Sequence, residues 1–228
     1  MTQRSILAGT NQTIIIKVGG SVTVKGQAGE RLLAQGTGGL SVERRAQAEI
    51  GRARAAIGDH VLFDLRIKLP NLKEKKSLEE VIEVKIGSSG EVLVPFESNI
   101  KVYAGNDIDI QGIRGQVDAY AGSNLTLQDV NRLGNASAGG TMQIVCQTIT
   151  GKDVAFGAGG DLRFHVAGLT SARLRVKDIA GYWEARIGGG ERSVYLKSGG
   201  DITFVTDQDV KALPPNYILG KIEKPDPA

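Results

Sequence analysis

The chain has 228 residues with a net charge of +3, and 31 of its residues are glycine, whereas only 5% are aromatic. This glycine share is about twice the usual value, but only six prolines accompany it, so collagen and proline-rich disordered chains are excluded. The mild positive charge is spread along the chain and predicts no nucleic-acid binding, and no apolar run is long enough for a membrane span.

The N-terminal residues MTQRSILAGTNQT lack the apolar stretch of a secretory signal. We therefore expect a cytoplasmic location, or an extracellular one if a leader has been removed from a longer chain. The first alternating apolar pairs follow at Val22/Val24, Leu32/Ala34 and Leu40/Val42. Alternation predicts short strands with one buried face, because a helix would repeat about every 3.6 residues.

The alternation stops in the charged segment 43–80, which we interpret as an insertion. Residues 44–56 are compatible with a short helix, and residues 61–69 alternate as in a strand. Insertions in repeat proteins usually emerge on one face. We expect this segment to lie against the side of the repeat or to cover its N-terminal end.

From residue 84 onwards the chain repeats. An apolar pair recurs just after a glycine-rich corner at intervals of 17, 17, 20 and 40 residues, and a second pair recurs in step with it. The first pairs are Ile108/Ile110, Leu125/Leu127, Met142/Ile144, Leu162/Phe164 and Ile202/Phe204, the second are Val117/Ala119, Gly134/Ala136, Val154/Phe156, Leu174/Val176 and Val194/Leu196, and the pattern extends upstream through Val84/Ile86, Val92/Val94 and Ile100/Val102.

Each unit has too few strands to bury a core alone, so successive units must stack at about 4.8 Å. We predict an all-β fold, a single-stranded β-solenoid or parallel β-helix with right-handed coiling. It has about nine coils of 16–20 residues and one insertion. Glycines occupy the corners, where the chain needs positive φ or close backbone approach.

The interval of 40 residues is interpreted as two units. The unit that this interval skips, at residues 181–184, is shifted by one residue relative to the repeat. The side chains of Trp183, Ala185 and Ile187 are therefore expected to face inward, and that of Glu184 is not. We assign residues 1–210 to the solenoid, interrupted by 43–80, and residues 211–228 to a proline-containing tail that is a candidate cap for the last coil.

The sequence contains no convincing catalytic, cofactor or metal motif. Cys146, the single cysteine, and His165 are close to one period apart and are a candidate nucleophile and base, but the alternation turns His165 outward and places Cys146 in the core or at a corner. Four aspartates are a candidate calcium ladder, although turn roles are favoured because the nonapeptide of calcium-binding β-rolls is absent. These aspartates are Asp107, Asp109, Asp161 and Asp201.

The segment GNDIDIQGIRGQVDAYAGSNLTLQDVNRLGNASAGG resembles the units of the DUF4097-type adhesin family of bacterial β-solenoids. The resemblance covers about residues 84–206 and rests on 107–110, 112–115, Val117, Ala119 and 122–123. It implies the solenoid fold and an adhesin-like role, and it carries no catalytic residue. A weaker similarity to bactofilin-like cytoskeletal solenoids implies self-assembly.

We expect a non-catalytic scaffold or interaction protein that binds a protein partner or itself, as a monomer or small homo-oligomer. Two alternatives stay open: a self-assembling bactofilin-like polymer, and a carbohydrate-binding or carbohydrate-active solenoid. A carbohydrate site needs aromatic side chains or clustered carboxylates on one outer face. The candidate surface-binding residues are Tyr103, Tyr120 and Trp183.

Overall fold

The computed structural model describes residues 1–9, 11–46, 80–149, 153–166, 173–179, 182–188, 193–200, 202–206 and 211–212. Within these ranges the chain forms strands and no helix, which confirms the predicted all-β class. The strands are β1 (Thr2–Leu7), β2 (Thr13–Val18), β3 (Val22–Gln27), β4 (Arg31–Gly36), β5 (Leu40–Ala46), β6 (Glu80–Ile86), β7 (Gly90–Pro95), β8 (Asn99–Ala104), β9 (Ile108–Ala121), β10 (Leu125–Ala138), β11 (Met142–Ile149), β12 (Asp153–Ala158), β13 (Leu162–Val166), β14 (Arg173–Ile179), β15 (Tyr182–Gly188), β16 (Ser193–Ser198), β17 (Ile202–Thr206) and β18 (Lys211–Ala212).

Most of the strands pair in parallel and form two ladders. The first ladder contains, in spatial order, β7, β3, the first part of β9, the first part of β10, β11, β13 and β17. The second ladder contains β6, β2, β8, the later parts of β9 and β10, β12 and β16. We call one strand of each ladder, joined by a corner, a rung.

The two ladders share one hydrophobic core. Alternate side chains of both ladders are buried in a single cluster, as the period-two pattern predicts. Phe156 of the second ladder and Phe164 of the first have ring centroids 5.0 Å apart, so the ladders face each other across this core. The alternation therefore determines which side chains are inside.

Residues 13–27, which we call the inserted rung, break the chain order of the ladders. β2 lies between β6 and β8, and β3 lies between β7 and β9. The prediction that Val92/Val94 lies directly before Ile108/Ile110 is wrong, because Val24 pairs with both Val92 and Ile110. Rungs with the same apolar pattern look alike in the sequence, so the pattern cannot tell which of them are neighbours.

The N-terminal end of the ladders is antiparallel. β4 pairs with β7, β1 pairs with β4, and β5 pairs with β6. The prediction that Leu32/Ala34 and Leu40/Val42 continue the parallel repeat is therefore wrong in direction. Leu40 lies opposite Ile86 in an antiparallel pair. Alternation identifies a buried face, but it carries no information on strand direction.

A hairpin replaces the predicted parallel unit near Tyr182. β12 pairs directly with β16, and β13 pairs directly with β17, so the longest interval of the repeat is a single step and not two units. β14 and β15 pair antiparallel with each other, and β15 also pairs antiparallel with β16. Seven parallel rungs can be traced in the described ranges, instead of about nine, because the units at Leu40 and Tyr182 are antiparallel.

The predicted insertion falls largely outside the described residues. β5 extends to Ala46, so residues 44–46 are strand and not the start of a helix, and β6 begins at Glu80. The helix expected up to residue 56 and the strand expected at 61–69 lie outside the described ranges. Of the tail 211–228, only β18 is described, and it pairs in parallel with the start of β14.

Glycines at the corners allow close approach of successive rungs. The amide of Gly122 donates to the Ala104 carbonyl at 3.0 Å, and the amide of Gly139 donates to the Ala121 carbonyl at 3.1 Å. A Cβ atom on Gly122 would clash with the carbonyl oxygen of Gly105. The predicted corner role is confirmed at these positions, and close backbone approach is its cause.

Candidate functional site

Two tyrosines stack on the outer surface of the second ladder. Tyr103 of β8 and Tyr120 of β9 are direct neighbours in register, and their sequence neighbours Val102 and Ala119 are fully buried. The ring centroids lie 5.1 Å apart with an interplanar angle of 10°. Strand spacing of about 4.8 Å sets this separation. The fold thus brings together two of the three predicted surface residues.

The stack is accessible from solvent. Tyr103 is 39% exposed, which makes it one of the few large hydrophobic side chains left open among the described residues. Burial raises the pKa of Tyr120, and the nearby Asp118 carboxylate and Tyr103 raise it further. The Tyr120 hydroxyl therefore stays protonated at neutral pH and can both donate and accept a hydrogen bond.

The third predicted surface residue, Trp183, does not join this stack. The register row through Tyr120 continues to Ser137, Gly157 and Lys197 and reaches Glu184 of β15. Trp183 lies opposite Ser198, one position outside that row. It is four strand positions from Tyr120, about 19 Å at the usual strand spacing.

The position next to Tyr120 in the row is open. Ser137 follows Tyr120, and Gly157 follows Ser137. A Cβ atom on Gly157 would meet no other atom within 4 Å. Because these residues are small, no large side chain continues the stack, and a planar group has room to lie on Tyr120.

Beyond Tyr103, a nearly buried carboxylate gathers several cations. Glu83 is only 3% exposed, and its carboxylate lies 2.7 Å from Lys17 Nζ, 3.1 Å from Arg45 Nε and 3.3 Å from Lys85 Nζ. Burial alone would raise the pKa of Glu83, but hydrogen bonds and charge from Lys17 and Lys85 lower it below the usual value. Sequence reasoning missed Glu83, because the alternation places it on the outer face.

Asp118 is fixed beside Tyr120. Its Oδ1 accepts a hydrogen bond of 2.8 Å from the Asn135 backbone amide, and its Oδ2 lies 3.6 Å from Lys101 Nζ. We call Lys17, Lys101, Tyr103, Asp118 and Tyr120 the tyrosine face. It combines an aromatic platform with polar groups that are held in place, on strands that cannot shift independently.

A shallow depression of about 480 Å³ lies on the first ladder, at the corner near Asp107. Asp107 Oδ1 accepts hydrogen bonds from Asn124 N at 3.0 Å and from Asn124 Nδ2 at 2.9 Å. These bonds lower the pKa of Asp107. Asp107 therefore joins two successive rungs at a corner, and the local turn role favoured for it stays a prediction. In the described part of the chain, no group of three His, Cys, Asp or Glu side chains could hold a metal ion.

The Cys146 and His165 pair is not formed. Cys146 lies beside Val166 in register, whereas His165 lies beside Val145, so their side chains alternate to different faces. Cys146 is 2% exposed, and burial raises the pKa of its thiol to about 12. Such a thiol carries no nucleophilic thiolate at neutral pH. The predicted core position of Cys146 is confirmed.

No protein-family model, curated protein or solved structure matches the chain. The similarities to DUF4097-type adhesins and to bactofilin-like solenoids therefore stay predictions. The residues that the structure describes contain no helix of the length and hydropathy that crossing a bilayer requires.

Proposed function

We propose that the chain is a non-catalytic β-solenoid scaffold that binds a partner protein through the tyrosine face. Two parallel ladders around one core, with short and nearly constant steps between Ile108 and Leu162, support the solenoid architecture. Antiparallel strands at β4, β5 and the β14–β15 hairpin are additions to this repeat.

The stacked tyrosine pair is the observation that carries the binding role. Tyrosine is enriched at binding hot spots, because it offers a large apolar surface and a polar hydroxyl at small entropic cost. Here the rings are held at 5.1 Å on adjacent strands, next to the fixed carboxylate of Asp118. A partner would therefore meet a preorganised surface, which lowers the cost of binding.

A capture experiment with paired variants tests this proposal. The full chain, the Tyr103→Ala/Tyr120→Ala variant and a Thr126→Ala/Gln143→Ala control are each used as bait in the source cell extract. Thr126 and Gln143 are neighbours on the outer face of the first ladder, so the control makes a matched change elsewhere. We expect at least a tenfold loss of one specific partner for the tyrosine variant alone. Equal retention by all three baits would contradict the proposal.

Carbohydrate binding is the second candidate, and the open position beside Tyr120 favours it. The apolar face of a pyranose ring can stack on Tyr120 above Ser137 and Gly157, and Asp118 can accept hydrogen bonds from sugar hydroxyls. Titration with soluble polysaccharides tests this candidate directly. We expect Ser137→Tyr to abolish binding by filling the open position. Affinity unchanged in Ser137→Tyr would exclude this site.

The bactofilin-like polymer receives less support. End-to-end assembly requires each end to present a matching strand edge, whereas β1 and β4 close the N-terminal end of the first ladder with antiparallel strands. Negative-stain microscopy across a range of salt concentrations distinguishes the two proposals, because a scaffold gives short particles and a polymer gives filaments.

A further inference from the structure

The strand partners of the inserted rung all lie far along the chain. The registers of β2 and β3 join each residue to partners in β6 and β7 on one side and in β8 and β9 on the other. The two flanking segments, by contrast, follow each other directly in the chain. The inserted rung therefore occupies a slot between β6–β7 and β8–β9.

The two walls of this slot are separated along the chain by as many residues as two rungs that pair directly. Val92 and Ile110 lie on opposite walls, and both pair with Val24. Their separation along the chain lies between two steps that join direct neighbours, the step from Ile108 to Leu125 and the longer step from Met142 to Leu162. The slot therefore interrupts an ordinary step of the repeat, and the inserted rung is an element added to it.

Both ends of the inserted rung are hydrogen-bonded to neighbouring segments, with the Gln12 side chain donating to the Glu80 carbonyl and the Gln27 side chain donating to the Arg31 carbonyl. The crossing from β7 to β8 runs past it through residues 96–98. The amide of Phe96 donates to the Gln27 carbonyl at 3.1 Å, and the amide of Asn99 donates to the Gln12 carbonyl at 3.0 Å. These two main-chain hydrogen bonds join the crossing to the two ends of the rung.

The inserted rung cannot remain in water once it leaves the slot. Its apolar side chains are almost completely buried in the structure, so a displaced rung exposes a continuous apolar face. A second copy of the chain offers a slot with identical rows and hydrogen-bond partners. The buried side chains are Ile14, Ile15, Ile16, Val18, Val22 and Val24.

We propose that residues 13–27 form an exchangeable rung, which one copy of the chain donates to the slot of a second copy. Within the slot, an exchanged rung makes the same strand pairings and buries the same side chains as in the monomer. Exchange of an identical element is a low-cost route to a dimer for this reason. The balance between the two forms then depends on protein concentration.

Mixed single-cysteine chains detect this exchange. Thr23 and Asp109 are register neighbours on adjacent parallel strands, and both are partly exposed. Chains carrying Thr23→Cys are unfolded and refolded together with chains carrying Asp109→Cys, both in a Cys146→Ala background, and then oxidised. Exchange brings the two different chains within disulfide reach. We expect a Thr23–Asp109 cross-link between chains, with a yield that rises with concentration.

The matched control mixes Asp109→Cys chains with Thr126→Cys chains. This pair has the same parallel register, but its two strands lie in an uninterrupted run of the ladder. A cross-link yield no higher than this control at every concentration would overturn the proposal. If a cysteine variant fails to fold, unmodified light and ¹⁵N-labelled chains are refolded together and weighed by native mass spectrometry. Exchange requires dimers of mixed mass, and monomers alone exclude it.

Discussion

The inserted rung and the rungs between Ile108 and Cys146 solve the same packing problem in different chain orders. In the later stretch, each rung lies on the one that precedes it in the chain. In the earlier stretch, residues 13–27 lie between two segments that come much later. Both stretches bury the same alternating pattern. The apolar rows thus determine the shape of a rung, and other interactions determine its neighbours.

Different polar contacts join the rungs in the two regions. Ion pairs connect the inserted rung to the rung of β6–β7, with Lys17 at 2.7 Å from Glu83 and Lys25 at 2.9 Å from Glu91. Between the rungs from Ile108 to Cys146, side-chain oxygens accept hydrogen bonds from the backbone of the next rung, as where Asn124 Oδ1 accepts from Thr141 N at 3.0 Å. Charge complementarity can select between similar partners. We infer that the ion pairs help to select the position of the inserted rung.

Cavity-forming substitutions should have the largest effects on stability, and these effects should differ between the inserted rung and the later rungs. Leu127 and Ile16 are both fully buried, and replacing either with alanine should cost about 2–5 kcal/mol. We expect Leu127→Ala to lower the free energy of global unfolding. We expect Ile16→Ala to release the inserted rung first, because the packing contacts that it removes belong to that rung. Urea denaturation measures the former, and hydrogen exchange of residues 13–27 measures the latter. Identical exchange patterns in both variants would contradict the distinction.

Replacing a corner glycine with alanine should destabilise the protein in both regions. A Cβ atom on Gly122 would clash with the Gly105 carbonyl, and one on Gly19 would clash with the Gly87 carbonyl. Each alanine variant should lose about 1–3 kcal/mol from overpacking. Gly157→Ala is the control, because its Cβ would meet no atom within 4 Å. Thermal denaturation of the three variants checks this, and a loss for Gly157→Ala equal to the others would refute the role of close approach.

Acid should weaken the contact between the inserted rung and β6. The pKa of Glu83 is lowered in the fold, so its contribution is complete above the unfolded value of about 4.3 and is lost as pH falls through the folded pKa. Glu83→Gln should cost about 1–2 kcal/mol at neutral pH, a reduced figure because its cations are partly exposed. Denaturation at neutral and acidic pH should show a smaller pH dependence in the variant. The same pH dependence in both proteins would refute this assignment.

The smallest loss of stability is expected from substitution in the stack of Tyr103 and Tyr120. Tyr103→Leu keeps an apolar side chain but removes the ring contact with Tyr120, and it should cost about 0.5–1 kcal/mol. A denaturant titration with Tyr103→Phe as the control measures this loss. Equal stability of the leucine and phenylalanine variants would show that the stack contributes only buried area.

The sequence predicts which side chains are buried better than it predicts which strands pair and in which direction. Cys146 has the predicted core position, because the period is a local signal, whereas the hydrogen bond of Asp107 to Asn124 crosses to the next rung. The strand at Leu40 has the opposite direction from that expected, because direction depends on pairing with β6, far along the chain. β2 was missed, since the consecutive residues Ile14, Ile15 and Ile16 conceal its alternation.

The candidate site was partly predictable for the same reason. Tyr103 and Tyr120 are separated by one local step of the repeat, so their stacking follows from the period. Trp183 belongs to a hairpin that leaves the period, and its place could not be derived from spacing. The burial of Glu83 depends on cations from three different strands, which no local pattern indicates.

The corner glycines also mark the positions at which whole rungs can be added or removed without disturbing the rest of the fold. Gly105, Gly122 and Gly139 mark equivalent points of successive rungs, each bonded to the rung before it. A deletion or duplication between two such points would remove or add one complete layer and leave all other rows aligned. The β14–β15 hairpin is such an addition, since β16 and β17 pair in register with β12 and β13 after it. Tandem duplication and loss are therefore the natural way for such a chain to lengthen or shorten during evolution.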